Sequence, residues 1–187
     1  MPSCILLHYE NHTLGPRLSA SEGIFQKRLS RMIVRIANTY EDIEACFQIR
    51  DEVFVIEQNV PVTRERDEHD STAIHFLVLD DGKPVGTARV VLTDKAATAK
   101  IGRVAIIASK RGNGIGKILM KAIEENLRLR HVTRFTLDAQ THALQFYERL
   151  GYDAYGDEFM DAGIPHRHMT KKTRQEAAPH KGERAAS

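Results

Sequence analysis

At 187 residues the chain has the usual size of a single domain, long enough to bury a core without disulfides or a structural metal. With 42% hydrophobic and 28% charged residues its make-up is ordinary for a water-exposed protein, and no apolar run approaches the roughly 18 residues of a membrane-spanning helix, so no membrane partner is expected. A net charge of +2 falls short of the concentrated basic stripe of a nucleic-acid binder, and two cysteines, Cys4 and Cys46, argue against both a disulfide framework and a cysteine-rich zinc site.

Residues 1–31 follow neither a helical nor a strand period, and Ile5, Leu6 and Leu7 are too few to form the apolar segment of an export signal. They read as a disordered extension, and a reducing, cytoplasmic setting is expected for the protein. From Met32 to Lys172 the pattern alternates strand and helix, the mark of a mixed α/β domain. A short strand is predicted from Ile33 to Ile36. Thr39, with Asp42 three residues on, then opens a helix whose Ile43, Cys46, Phe47, Val53 and Phe54 make one buried stripe. The acidic run from Glu65 to Asp70 either draws in a cationic amine or is a solvated loop. Two β-rich runs, Ile74 to Leu79 and Val85 to Leu92, are joined through Asp81-Gly82, a strong hairpin signal, and a third run from about Ala99 to Ile107 completes an antiparallel meander. A helix from about Gly114 to Arg130, a strand from Phe135 to Ala139, a helix from Thr141 to Leu150 stopped by Gly151, and a last strand from about Pro165 to Lys171 follow. Residues 173–187, charged and broken by Pro179, read as a solvated tail.

The segment from Lys110 to Lys117 sets Gly112, Gly114 and Gly116 among basic side chains where a strand hands over to a helix. Unpaired amides and the positive dipole end at such a helix start suit phosphate, and glycines let the backbone come close to an anion. A merely tight turn is the alternative. Two known phosphate loops fail on spacing. A Walker A loop needs Gly and Ser or Thr where Arg111 and Ile118 stand, and a dinucleotide fingerprint needs Gly at Lys117 or Leu119.

What the segment resembles is the acyl-coenzyme A loop of the GNAT superfamily, Gln/Arg-x-x-Gly-x-Gly/Ala, with Arg111, Gly114 and Gly116 at the defining positions. The likeness extends to Val104-Ala105-Ile106, which stands where that superfamily has its splayed central strand, and to Phe146-Tyr147-Glu148-Arg149-Leu150-Gly151-Tyr152, similar to its Phe-Tyr-x-x-x-Gly-Phe segment. Gln140 stands where many members carry Asn. Phe54 to Gln58, Asp67 to Asp70, Ala139-Gln140 and Gly163 to His166 resemble the ElaA-like group in particular. The resemblance implies a twisted mixed sheet of about six or seven strands flanked by about four helices. It also implies transfer of an acetyl group from acetyl-coenzyme A to a primary amine by direct attack in a ternary complex, by a monomer or homodimer and without a metal. Gly112, Asn113, Gly114, Ile115, Gly116 and Lys117, with Arg111, would hold the donor's diphosphate. Val104 N–H would face the thioester oxygen and Ile106 would pair with the pantetheine arm. Tyr147 would be the acid that protonates the leaving sulfur, set against a reading as a core aromatic. For the base the candidates are Glu57, whose apolar surroundings would raise its pKa if it were buried, and His166, beside Glu65, Asp67, His69, Asp70 and His75. The alternative is a module that binds acyl-coenzyme A without chemistry, and Tyr147 is the residue that discriminates.

Overall fold

Asp81 and Gly82 both take positive φ, 52° and 74°, the tight turn that matches the twist of two antiparallel strands. The computed structural model, which describes residues 32–173 except 94 and 96, builds from that hairpin a sheet of seven strands. These are β1 (Met32–Ile36), β2 (Ile74–Asp80), β3 (Lys83–Leu92), β4 (Thr98–Ile106), β5 (Arg134–Gln140), β6 (Asp153–Asp161) and β7 (Ile164–Lys172). They lie in the order β1-β2-β3-β4-β5-β7-β6, antiparallel except for the β4–β5 pair. The expected meander is β2-β3-β4. The readings of residues 1–31 and 174–187 lie outside the described residues, while Thr173 is still tied to the sheet by its amide, 2.9 Å from the carbonyl of Thr133.

Helices cover both faces. α1 (Tyr40–Arg50) starts where the Thr39 hydroxyl accepts the amide of Asp42 at 3.2 Å, and its Cys46 and Ile49 pack on Leu77, Leu79 and Ala105. α3 (Ile115–Leu129) lays Leu119, Met120, Ile123 and Leu127 against Phe76 and Val78 on the other face. Successive β2 side chains thus enter different cores, which is why this strand is apolar without alternation. Each fully buried aliphatic side chain of α3 contributes about 1.5–3 kcal/mol. Short α2 (Val62–Glu65) follows α1, and α4 (Leu144–Glu148) follows a single 3₁₀ turn, Thr141–Ala143. Among the described residues no helix is long and apolar enough to cross a membrane.

Two expectations are corrected. The first helix does not run on as one α-helix to Phe54. After Arg50 it becomes a π-helical segment, Asp51–Glu57, which shifts the buried stripe and carries Glu57 out to an exposed position. The second correction is β6, which pattern reading missed. It is an edge strand with mostly exposed residues on both faces, so no apolar alternation marks it.

Candidate functional site

β4 and β5 begin side by side and then part. Their ladder spans Thr98↔Arg134, Ala99↔Phe135 and Lys100↔Thr136 and goes no further, although β4 continues to Ile106 and β5 to Gln140. The parting coincides with a register shift between β3 and β4 and with Arg103, whose φ of 51° lies in the left-handed region. A non-glycine residue held there costs about 1–3 kcal/mol and persists when its surroundings over-determine it. Here they do: Arg103 Nε donates to the carbonyl of Glu65 at 2.9 Å, and Nη2 donates to the carbonyl of Arg64 at 3.0 Å and to Asp67 Oδ2 at 3.2 Å. The wedge between the strands opens into a cavity of about 1090 Å³ lined by Val104 and Ile106 from β4 and by Leu137, Asp138 and Gln140 from β5.

Arg111, at the head of the glycine loop, also lines the cavity. Gly112 and Gly114 have φ of 75° and 78°, and a Cβ at either would meet nothing within 4 Å, so the backbone is open to an approaching group. The first helical bond of α3 runs from Ile118 N to Gly114 O, which leaves the amides of Ile115, Gly116 and Lys117 free of intrahelical partners. Asn113 folds the loop by donating to the carbonyls of Lys110 and Arg111 at 3.2 and 3.1 Å. This cradle offers unpaired amides of the kind that suit a phosphate group. Lys110 is committed elsewhere, to Asp80 at 2.7 Å, and the Ile115 side chain is core, so that residue could offer only its amide. Gly116 has a packing reason to be glycine as well. A Cβ there would come within 3.2 Å of the Phe146 ring, so the absent side chain lets α3 and α4 approach each other.

Tyr147, on α4, lines the cavity while its ring packs edge-on against Phe146 and Tyr152, with centroids 4.9 and 6.0 Å away. Burial pushes its phenol up to about 12, so it keeps its proton at neutral pH. His166, on β7, is buried at the cavity wall and stacks on Phe159. Its Nδ1 lies 2.8 Å from the carbonyl of Ile164. A carbonyl can only accept, so Nδ1 carries the proton and Nε2 of the neutral ring has the free lone pair. Gln140, at the position where Asn is more usual, donates to Gln58 Oε1 at 2.8 Å and so ties β5 to the end of the π-helical segment.

Glu57 is not buried. Its side chain is 40% exposed and receives both ends of the Arg111 guanidinium, Nη1 at 2.6 Å and Nη2 at 2.7 Å. Those hydrogen bonds, against a smaller opposing effect of burial, hold its carboxyl below the usual range, the reverse of the raised value a buried base would need.

The acidic run is neither a solvated loop nor an open lure for cations. Arg50, fully buried in α1, binds Glu65 through Nε and Asp70 through Nη1 and Nη2 at 2.7 and 3.0 Å. Arg89 takes Asp67 at 2.6 and 2.9 Å and Asp70 at 2.9 Å. With Arg103, three arginines and three carboxylates balance in one network, which removes Glu65, Asp67 and Asp70 from the candidate bases. His75 is buried with Nε2 2.9 Å from the carbonyl of Asp70, and exposed His69 lines the cavity rim. The sequence did carry a signal for this network: Arg50 falls on the buried side of a helix, and Arg89 sits mid-strand between Ala88 and Val90. Among the described residues no group of three or more His, Cys, Asp or Glu is arranged to hold a metal ion.

The sequence matches the acetyltransferase (GNAT) domain family over residues 36–173. N-acetyltransferase YjcF of Bacillus subtilis (strain 168) is 42% identical over 137 residues, which are 73% of this chain and 96% of YjcF. Among solved structures, Escherichia coli ElaA superposes with a TM-score of 0.68 at 26% identity, over 75% of this chain and 99% of ElaA. An acyl-CoA N-acyltransferase from Pseudomonas aeruginosa superposes with a TM-score of 0.65 at 30% identity, over 75% of this chain and 97% of that one.

Proposed function

Because the chain belongs to the GNAT acetyltransferase family, in the ElaA-like company, we propose that it transfers an acetyl group from acetyl-coenzyme A to a primary amine held in the same cleft. The observation that carries this reading is the meeting of three features at one cavity: the β4–β5 wedge, Arg111 at the head of the open glycine loop, and Tyr147. The donor supplies an activated thioester, and the remaining roles belong to the chain. Gly112, Asn113 and Gly114, with the amides of Ile115, Gly116 and Lys117 and the side chain of Arg111, hold the diphosphate. Val104 offers its amide to the thioester oxygen, and Ile106 runs beside the pantetheine arm. Tyr147 keeps a proton for the departing sulfur, and His166 Nε2 takes the proton that the amine must lose before it can attack. The cytoplasm is the expected setting on the cysteine count, and no nucleic acid is expected as partner.

Incubation with acetyl-coenzyme A and a panel of primary amines, followed by mass spectrometry for a mass gain of one acetyl group and by assay of released thiol, tests the reading. Acetylated amine with stoichiometric thiol release is the expected result. Tight coenzyme A binding with no product from any amine would instead point to a binding module.

A further inference from the structure

The Arg111 guanidinium serves two sites at once. It belongs to the loop expected to hold the diphosphate, yet both of its terminal nitrogens are engaged by Glu57, at 2.6 and 2.7 Å. Its Nε donates to the carbonyl of Ile106 at 2.8 Å, so the strand that walls the cleft aims the fork. The pair stands at the cavity wall with side chains 43% and 40% exposed. A pair so open to water gains at most about a fivefold preference over the separated groups. A diphosphate carries more charge than one carboxylate, accepts the same bidentate fork, and is further favoured by the free amides of α3. Glu57 would stay behind when Arg111 left, because the next residue, Gln58, is held by Gln140 at 2.8 Å.

Resting on the acyl-transfer reading, we propose that donor binding moves Arg111 from Glu57 to the diphosphate, and that the carboxylate so uncovered is the subsite for the ammonium group of the acceptor. In the free protein the pair is neutral and offers a cation nothing. After the exchange, Glu57 is an unpaired carboxylate in the cavity that also holds Tyr147 and His166. The acceptor is thus a cationic primary amine, and it binds after the donor.

Calorimetry with coenzyme A and carbon-13 NMR of the glutamate carboxyls, both on the full chain, test the exchange without reading activity. Glu57→Gln is expected to bind coenzyme A about two- to fivefold more tightly than the parent. In the parent, the Glu57 titration should move up towards the ordinary glutamate value of about 4.3 when coenzyme A is added. The probe cation n-butylamine should shift the Glu57 resonance in the coenzyme A complex and leave it unmoved in the free protein. Unchanged or weaker coenzyme A binding by Glu57→Gln overturns the proposal and leaves the transfer reading standing. A Glu57 titration that coenzyme A does not move, or a butylamine response that is absent or independent of coenzyme A, has the same consequence. A parent protein that does not bind coenzyme A at all overturns both.

Discussion

Tyr147 and the two loop glycines separate chemistry from packing at the scale of single residues. Tyr147→Phe keeps a ring that packs against Phe146 and Tyr152 and removes only the O–H. Turnover should then fall by about 10²–10⁴-fold, with KM for acetyl-coenzyme A and the melting temperature nearly constant. Steady-state kinetics and a thermal melt check this, and a variant of full activity would remove Tyr147 from the reaction. The glycines should part company. Gly114→Val strains a residue at φ 78°, where an added Cβ meets nothing within 4 Å, so it should chiefly weaken coenzyme A binding, at a backbone cost of about 1–2 kcal/mol. Gly116→Val drives a branched side chain towards Phe146, and the overpacking should cost about 1–3 kcal/mol of stability as well as displacing the neighbour of Tyr147. Calorimetry beside denaturant melts of the two variants distinguishes the outcomes.

Between elements, the buried ion network ties α1, α2 and the 3₁₀ turn Glu68–Ser71 to β3 and β4, and it anchors the Arg103 kink beside the wedge. Burial alone would raise the Asp70 carboxyl, but hydrogen bonds from Arg50 and Arg89 outweigh it and hold the group far below the usual carboxylate range. A group whose folded-state pKa is depressed stabilises the fold above its unfolded value, about 3.9 for Asp, and that contribution is lost as the pH falls below it. Asp70→Asn leaves Arg50 and Arg89 short of a charge partner and should cost about 3–5 kcal/mol at pH 7. Its stability should also fall less steeply than the parent's between about pH 4 and pH 2. Urea melts at several pH values measure both quantities. A variant as stable as the parent at neutral pH would show that water, and not the network, holds the loop.

For the molecule as a whole, we expect residues 32–173 to fold and bind without the flanking segments, since these residues by themselves supply two packed cores and a lined cavity. A chain lacking residues 1–31 and 174–187 should keep a cooperative melt and the parent's affinity for coenzyme A. Loss of either would make a flank part of the fold. The features legible from the sequence were those governed by local chemistry. The Asp81-Gly82 turn depends on two adjacent residues, the α3 stripe on a period of 3.6, and the loop motif on the spacing of Arg111, Gly114 and Gly116. What tertiary structure alone decided rests on contacts between distant positions. Arg103 reaches a carbonyl 38 residues away, Arg50 a carboxylate 20 away and Arg111 a carboxylate 54 away. No period or spacing encodes those distances, so the opened strand, the neutralised acidic run and the engaged Glu57 emerge only when the chain has folded.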